Sequence, residues 1–188
     1  MVCGSMFSGK TEELIRRIKR ARIAQQQVKI FKPCIDTRYS DVEVVSHDSQ
    51  SVASVPVASA AEMVSLAHAA DVVGVDEAQF LTREQVDQLM KVTTDLDIPV
   101  MAYGLRLNFR LTDGGFEGAT RLLQMAHDID EIKTICECGR KATLNARFLN
   151  GKFLADGPDV LIDDGTSEVE YRAICPKCYA EYAAGKKC

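Results

Sequence analysis

The sequence predicts an α/β protein: a phosphate-loop core with a mostly parallel sheet flanked by helices, followed by a small β-rich appendage tied by metal. Three observations carry this. Gly4-Ser5-Met6-Phe7-Ser8-Gly9-Lys10-Thr11 matches the phosphate-binding pattern G-x-x-x-x-G-K-[ST] at every fixed position. From there to about residue 135, apolar runs alternate with amphipathic stretches, the pattern of parallel β-α-β units. Beyond that point the style changes to short strands and tight turns, bracketed by the pairs Cys136/Cys138 and Cys175/Cys178. The domains are accordingly expected at 1–135 and 136–188.

The elements follow in order. Met1-Val2-Cys3 should end a β-strand leading into the phosphate loop, short for a central strand. Thr11 to about Ile23 reads as a helix: Glu12 and Glu13 suit its first turn, and Leu14, Ile15, Ile18 and Ala21 share one face. Val28-Lys29-Ile30-Phe31 reads as a buried strand, stopped by Pro33. Residues 33–50 are polar and irregular, with Asp36-Thr37-Arg38 just past a strand end, where ligand contacts concentrate. Ser59 to Ala70 reads as a helix, Val72–Val75 as a short strand ending in Asp76-Glu77, and Thr82 to about Asp95 as a helix capped by Thr82. Pro99–Gly104 is a further buried strand, followed by a loop with Phe109 and Phe116 and a helix to about Ala126. Ile132 to Ile135 closes the first region as a strand. In the second, strands are expected at 142–149, 152–155, 159–162 and 170–174, with turns at Asn150-Gly151 and Asp163-Asp164-Gly165.

Composition narrows the function classes. The 188 residues suit one medium domain, with room for a small second one. No apolar run approaches the roughly 20 residues of a membrane span, and the opening residues lack the basic head of a signal peptide. A cytoplasmic protein without membrane contact is the expectation. The net charge of −4 and the pI near 5.4 argue against non-specific nucleic-acid binding. The basic cluster Arg16, Arg17, Lys19, Arg20 and Arg22 reads as a solvated helix face. Seven cysteines without a secretion signal read as thiols or metal ligands rather than disulfides.

The chemistry centres on the glycine-rich stretch. Gly4 and Gly9 let the backbone wrap so that N–H groups point at phosphate oxygens. Lys10 reaches the β- and γ-phosphates, the Thr11 hydroxyl is a ligand for Mg²⁺, and the helix N-terminus adds partial positive charge. Such a site needs an acid on a neighbouring strand, which Asp76 supplies for the metal. Glu77, directly after it, is a candidate general base. It either activates water, making an ATPase, or takes a proton from a substrate hydroxyl, making a kinase; spacing does not choose between them.

Five blocks then appear in series: Gly4 through Leu14, Lys32-Pro33 with Asp36-Thr37-Arg38-Tyr39, Asp76-Glu77-Ala78-Gln79-Phe80, Tyr103-Gly104-Leu105, and the cysteine-flanked tail. Over nearly its whole length the chain resembles the cellular (type II) thymidine kinases. The resemblance implies a RecA-like phosphate-loop core with a zinc-ribbon-like lasso domain. It implies transfer of the γ-phosphoryl group of ATP to the 5′-hydroxyl of thymidine or deoxyuridine, yielding dTMP for salvage synthesis of DNA precursors. In that likeness Glu77 matches the catalytic base. Gly4, Ser5, Met6, Phe7, Ser8, Gly9, Lys10 and Thr11 match the ATP cradle, joined by Asp36, Asp76 and Gln79 near the metal and Arg38 on the phosphates. Met6, Leu105, Phe109 and Phe116 match the apolar wall around the base, and Leu161, Ile162, Asp163 and Tyr171 the lasso over the nucleoside. The likeness also implies a homotetramer and feedback inhibition by dTTP.

Cys136, Cys138, Cys175 and Cys178 fit the appendage as a structural Zn²⁺ site, because four thiolates complete a tetrahedron and leave no open position. His47, His68 and His127 lie apart from these pairs and are read as non-ligands. The sequence departs from the family pattern in three places. Asp163-Asp164 replaces paired glycines in a lengthened lasso, the loop from Phe109 to Phe116 is longer, and Asn145 stands where many members place a threonine near the base. Two other readings stay open at this point: a phosphate-loop ATPase in which Glu77 activates water, and a zinc-ribbon nucleic-acid binder with a vestigial loop.

Overall fold

The computed structural model describes residues 1–34, 43–45, 51–111, 115–159 and 168–186. The expected site residues Asp36, Arg38, Leu161, Ile162 and Asp163 lie outside this set, as do His47 and the turn at 163–165. The first region contains β1 (Val2–Gly4), α1 (Lys10–Ile23), β2 (Val28–Pro33), β3 (Glu43–Val45), β4 (Ser51–Ala53) and β5 (Val55–Val57). Then come α2 (Ala60–Ala67), β6 (Val72–Val75), a 3-10 turn (Ala78–Phe80), α3 (Arg83–Leu96), β7 (Val100–Leu105), α4 (Glu117–Met125) and β8 (Asp130–Glu131).

Six of these strands form one parallel sheet in the order β5-β2-β6-β7-β1-β8. Short as it is, β1 is central: all three of its residues are buried and it pairs with β7 on one side and β8 on the other. Buried on both faces, the inner strands are continuous apolar runs, as a helix-covered parallel sheet requires. One core lies under α2 and α3 and includes Phe31, Met63, Val73, Val75, Leu89 and Val92. Another lies under α1, where Leu14, Ile15 and Ile18 pack with Val2, Ile30 and Tyr103.

The helix and strand expectations hold within a residue or two for α1, β2, β6, α3 and β7. Thr82 caps α3 in a full capping box, its hydroxyl accepting from Gln85 N–H while Gln85 Oε1 accepts from Thr82 N–H. The basic residues of α1 are a solvated face in which Arg16 and Arg17 both pair with Glu13. Strands β3, β4 and β5 were not foreseen; β3 lies within 33–50, expected to be irregular, and pairs antiparallel with β4. Strand β5 carries Pro56, which interrupts a strand pattern and is tolerated here because β5 is the sheet edge.

Of the strand expected at 132–135 only Thr134–Ile135 is strand, and the pairing with the large sheet comes just before it. Asp130–Glu131 joins the large sheet as β8, whereas β9 (Thr134–Ile135) pairs antiparallel with β10 (Lys141–Ala142). A second antiparallel sheet follows, with β11 (Leu144–Leu149) between β12 (Lys152–Leu154) and β13 (Val169–Ile174). Asn150 and Gly151, both at positive φ, make the turn joining β11 to β12. Of the strand expected at 159–162, only Asp159 is described, and it is not in a strand. The last helix, α5 (Pro176–Ala183), was also not foreseen; Cys175 is its N-cap and Pro176 opens it.

Candidate active site

The register of the sheet assembles the site. Gly4, the last residue of β1, lies beside Leu105 of β7, and Val75 of β6 lies beside Ala102. The phosphate loop and Asp76 therefore leave the carboxyl edge of the sheet on either side of β7, where open parallel sheets bind ligands. The loop closes at Gly9, whose φ of 84° is open to glycine without steric cost, and α1 begins at Lys10. Lys10 Nζ folds back over the loop and donates to Ser5 O at 2.8 Å and Ser8 Oγ at 3.5 Å. Burial pushes the Lys10 pKa down, opposed by the charges of Glu77 and Asp76. Phosphate oxygens in the loop would relieve that desolvation. Ser5 and Ser8 are buried, Met6 is partly buried, and Phe7 is exposed at a φ of 58°.

Across the cleft, Thr11 Oγ1 lies 3.5 Å from Asp76 Oδ1, so the two expected magnesium contacts meet without a side chain between them. Asp76 is almost fully buried, and its N–H donates to Phe31 O. Burial raises the Asp76 carboxyl to about 7, helped by the neighbouring Glu77 charge and opposed by Lys32 and Lys10. A divalent cation would supply the positive charge that favours the ionised form. Lys32 itself is buried on β2, a role the sequence reading did not assign.

Glu77 takes a left-handed backbone, φ 49° and ψ 38°, a strained conformation for a residue with a side chain. Gln79 holds its carboxylate: Nε2 donates to Glu77 Oε2 at 2.5 Å, and Gln79 Oε1 accepts from Leu105 N–H at 3.0 Å. The buried Gln79 thus ties the Glu77 carboxylate to the end of β7. Gly104 makes room for it, since a Cβ there would sit 2.8 Å from Gln79 Oε1 and 2.9 Å from Gln79 N.

The residues expected around the nucleoside divide. Leu105 is half-buried at the end of β7, and Phe116, at the start of α4, meets Phe80 edge-on at 5.4 Å. Phe109 is buried, with the Arg147 guanidinium 3.6 Å over its ring. Tyr171 lies on β13 opposite Arg147 of β11. Fully buried Arg147 donates to Pro158 O at 2.6 Å and Asp156 O at 3.2 Å. Arg110 pairs with Asp159, which also accepts from Asn108, so the segment after β7 grips residues 156–159. None of this grip was assigned from sequence. The only trace was polar Asn145 and Arg147 inside an otherwise apolar strand.

The four sulfurs of Cys136, Cys138, Cys175 and Cys178 lie within 4.8 Å of one another, and those of Cys138 and Cys175 are 3.6 Å apart. A tetrahedron of Zn–S bonds of about 2.3 Å spaces its sulfurs about 3.8 Å apart, so the set fits the ion. Cys136, Cys138 and Cys175 are free thiols, and Cys178 Sγ completes the set of four. Behind the sulfurs, Phe148, Ile174 and Tyr179 form a small core of their own.

The chain is similar to known proteins. A thymidine kinase of Bacteroides thetaiotaomicron is 41% identical over 180 residues, covering 95% of this chain and 85% of that protein. One from Porphyromonas gingivalis is 40% identical over 95% of this chain and 83% of its own length. Among solved structures, Bacteroides Pif1 bound to ssDNA aligns at 15% identity and a TM-score of 0.42, over 72% of this chain and 38% of that one. That likeness is too distant to bear on function. The sequence model named "Thymidine kinase" matches residues 1–179, which takes in both the phosphate loop and the cysteine cluster, and the chain belongs to the thymidine kinase family.

Proposed function

We propose that this protein transfers the γ-phosphoryl group of ATP to the 5′-hydroxyl of thymidine, and of deoxyuridine, forming dTMP for nucleoside salvage. Membership of the family makes the chain an ATP-dependent phosphotransferase. The observation that carries the assignment of roles is the convergence of Glu77, Asp76 and Thr11 at one edge of the sheet. Lys10 and the loop amides hold the phosphates, with Arg38 joining them and Asp36 near the metal. Thr11 and Asp76 would hold Mg²⁺, which would supply positive charge against the phosphates. Glu77 accepts the proton of the attacking hydroxyl, and Gln79 keeps its carboxylate aimed. Met6, Leu105, Phe109 and Phe116 wall the base, and Leu161, Ile162, Asp163 and Tyr171 belong to the lasso over the nucleoside.

The same reading divides the chain into a nucleotide-binding domain, 1–135, and a zinc-bound lasso domain, 136–188. It makes the protein a cytoplasmic homotetramer inhibited by dTTP, acting on nucleosides rather than nucleic acid. Among the described residues, no helix is long and apolar enough to cross a membrane.

The test is incubation with ATP, Mg²⁺ and each deoxynucleoside in turn, following the 5′-monophosphate. Product with thymidine and deoxyuridine alone is the expected outcome. Phosphate release indifferent to nucleoside would instead make Glu77 the activator of water.

A further inference from the structure

Asn145 is a polar residue in a strand that otherwise packs a core. It is 2% exposed and lies on β11, in the second sheet, yet its side chain reaches the first. Its Oδ1 accepts from Met6 N–H at 2.8 Å, inside the phosphate loop. Its Nδ2 donates to Leu107 O at 2.9 Å, in the segment after β7. One amide therefore spans the loop that holds the nucleotide and the segment that runs from Leu105 to Phe109. Two residues along the same face, Arg147 stacks on Phe109 and holds residues 156 and 158. Strand β11 thus fastens the phosphate loop, the β7 segment and the base of the lasso to one rigid element.

Phosphoryl transfer depends on the distance between two substrates held by different parts of the chain, and a misplacement of about 1 Å can cost about a hundredfold in rate. An amide that donates to one part and accepts from the other can hold that distance; a side chain with one hydrogen-bonding function cannot. We propose that Asn145 is a positioning residue for the transfer, registering the phosphate loop against the nucleoside-facing segment. This rests on the kinase reading above.

The two ends of the amide can be separated. Asn145→Asp keeps the acceptor for Met6 N–H and loses the donor to Leu107 O, whereas Asn145→Ala loses both. The measurements are KM for ATP and thymidine, kcat, melting temperature, and ADP affinity by calorimetry. For Asn145→Ala, ADP affinity should weaken about tenfold, the scale of one hydrogen bond lost at a partly buried amide, with kcat falling as well. For Asn145→Asp, ADP affinity should stay within about twofold while KM for thymidine rises about tenfold.

The proposal is overturned if both variants lower only the melting temperature and leave KM and kcat at wild-type values. If Asn145→Ala does not fold, Asn145→Asp decides alone through its split between ADP affinity and thymidine KM. Should the wild type phosphorylate no nucleoside, the kinase reading fails. The ADP affinity of Asn145→Ala still tests the loop contact in that case, and an unchanged value removes the proposal.

Discussion

Glu77 occupies a backbone conformation that costs on the order of 1–3 kcal/mol for a residue other than glycine. The structure holds it there by the turn Ala78–Phe80 and by Gln79, which bonds both the carboxylate and β7. Glu77→Gln keeps the shape and an acceptor for Gln79 but cannot take a proton. ADP affinity should stay near wild type while kcat falls by roughly 10²–10⁴-fold, the range of general-base contributions. Near-normal turnover would remove Glu77 from that role.

Asp76 gives a pH prediction. Its folded, ligand-free pKa lies near 7, above its ordinary 3.8, because of burial and the Glu77 charge. Between those two values the folded chain holds a proton that the unfolded chain has released. The contribution of this group to stability therefore declines as pH rises from 3.8 to 7. If Asp76 holds Mg²⁺ with ATP as proposed, binding takes the ionised form, so below pH 7 it should expel a proton and affinity should fall by up to about tenfold per pH unit. Calorimetry at pH 6 in two buffers of different ionisation enthalpy reads this directly. The buffer dependence should shrink in Asp76→Asn, and equal dependence in both proteins would count against the assignment.

Strand β7 is the element on which the site turns. It lies between β1 and β6, and its end supports Gln79 through Leu105 N–H. Gly104 is the close approach that permits this. In Gly104→Ala the new methyl would overlap both Gln79 Oε1 and Gln79 N, the latter a backbone atom with little room to retreat. Stability should drop by about 1–3 kcal/mol, as for other overpacked sites. Turnover should drop by up to about a hundredfold as Gln79 is pushed off Glu77. Chemical denaturation and steady-state kinetics on the same preparation check both. A variant that loses stability but keeps wild-type kcat would show that Gln79 does not set the base.

For the molecule as a whole, the two cores of the large sheet are joined by a third, smaller one that the cysteine cluster holds. Elemental analysis of reduced protein should find about one zinc per chain. Cys138→Ser should weaken retention against a chelator. Four reactive thiols in a reduced, folded, zinc-free protein would remove the metal from the account.

Much of this was legible along the chain. The phosphate loop, Asp76-Glu77, the Thr82 cap and each cysteine pair are local patterns with short spacing, whereas the meeting of the two pairs, Cys138 and Cys175 being 37 residues apart, is tertiary. The amphipathic period of α1 and α3 and the apolar runs of β2, β6 and β7 are likewise local, and they make a helix-covered parallel sheet the natural packing. Other features were settled only by tertiary structure. Strand β5 exists as an edge that β2 templates despite Pro56. That Asp130–Glu131 joins the large sheet while Thr134–Ile135 pairs with Lys141–Ala142 follows from which strands each can reach. Gln79 and Asn145 acquire their roles from partners 26 and 139 residues away, respectively. A hydrogen bond across that separation has no signature in a periodic pattern, because it is decided by where the sheets place two backbone groups and not by the residues between them.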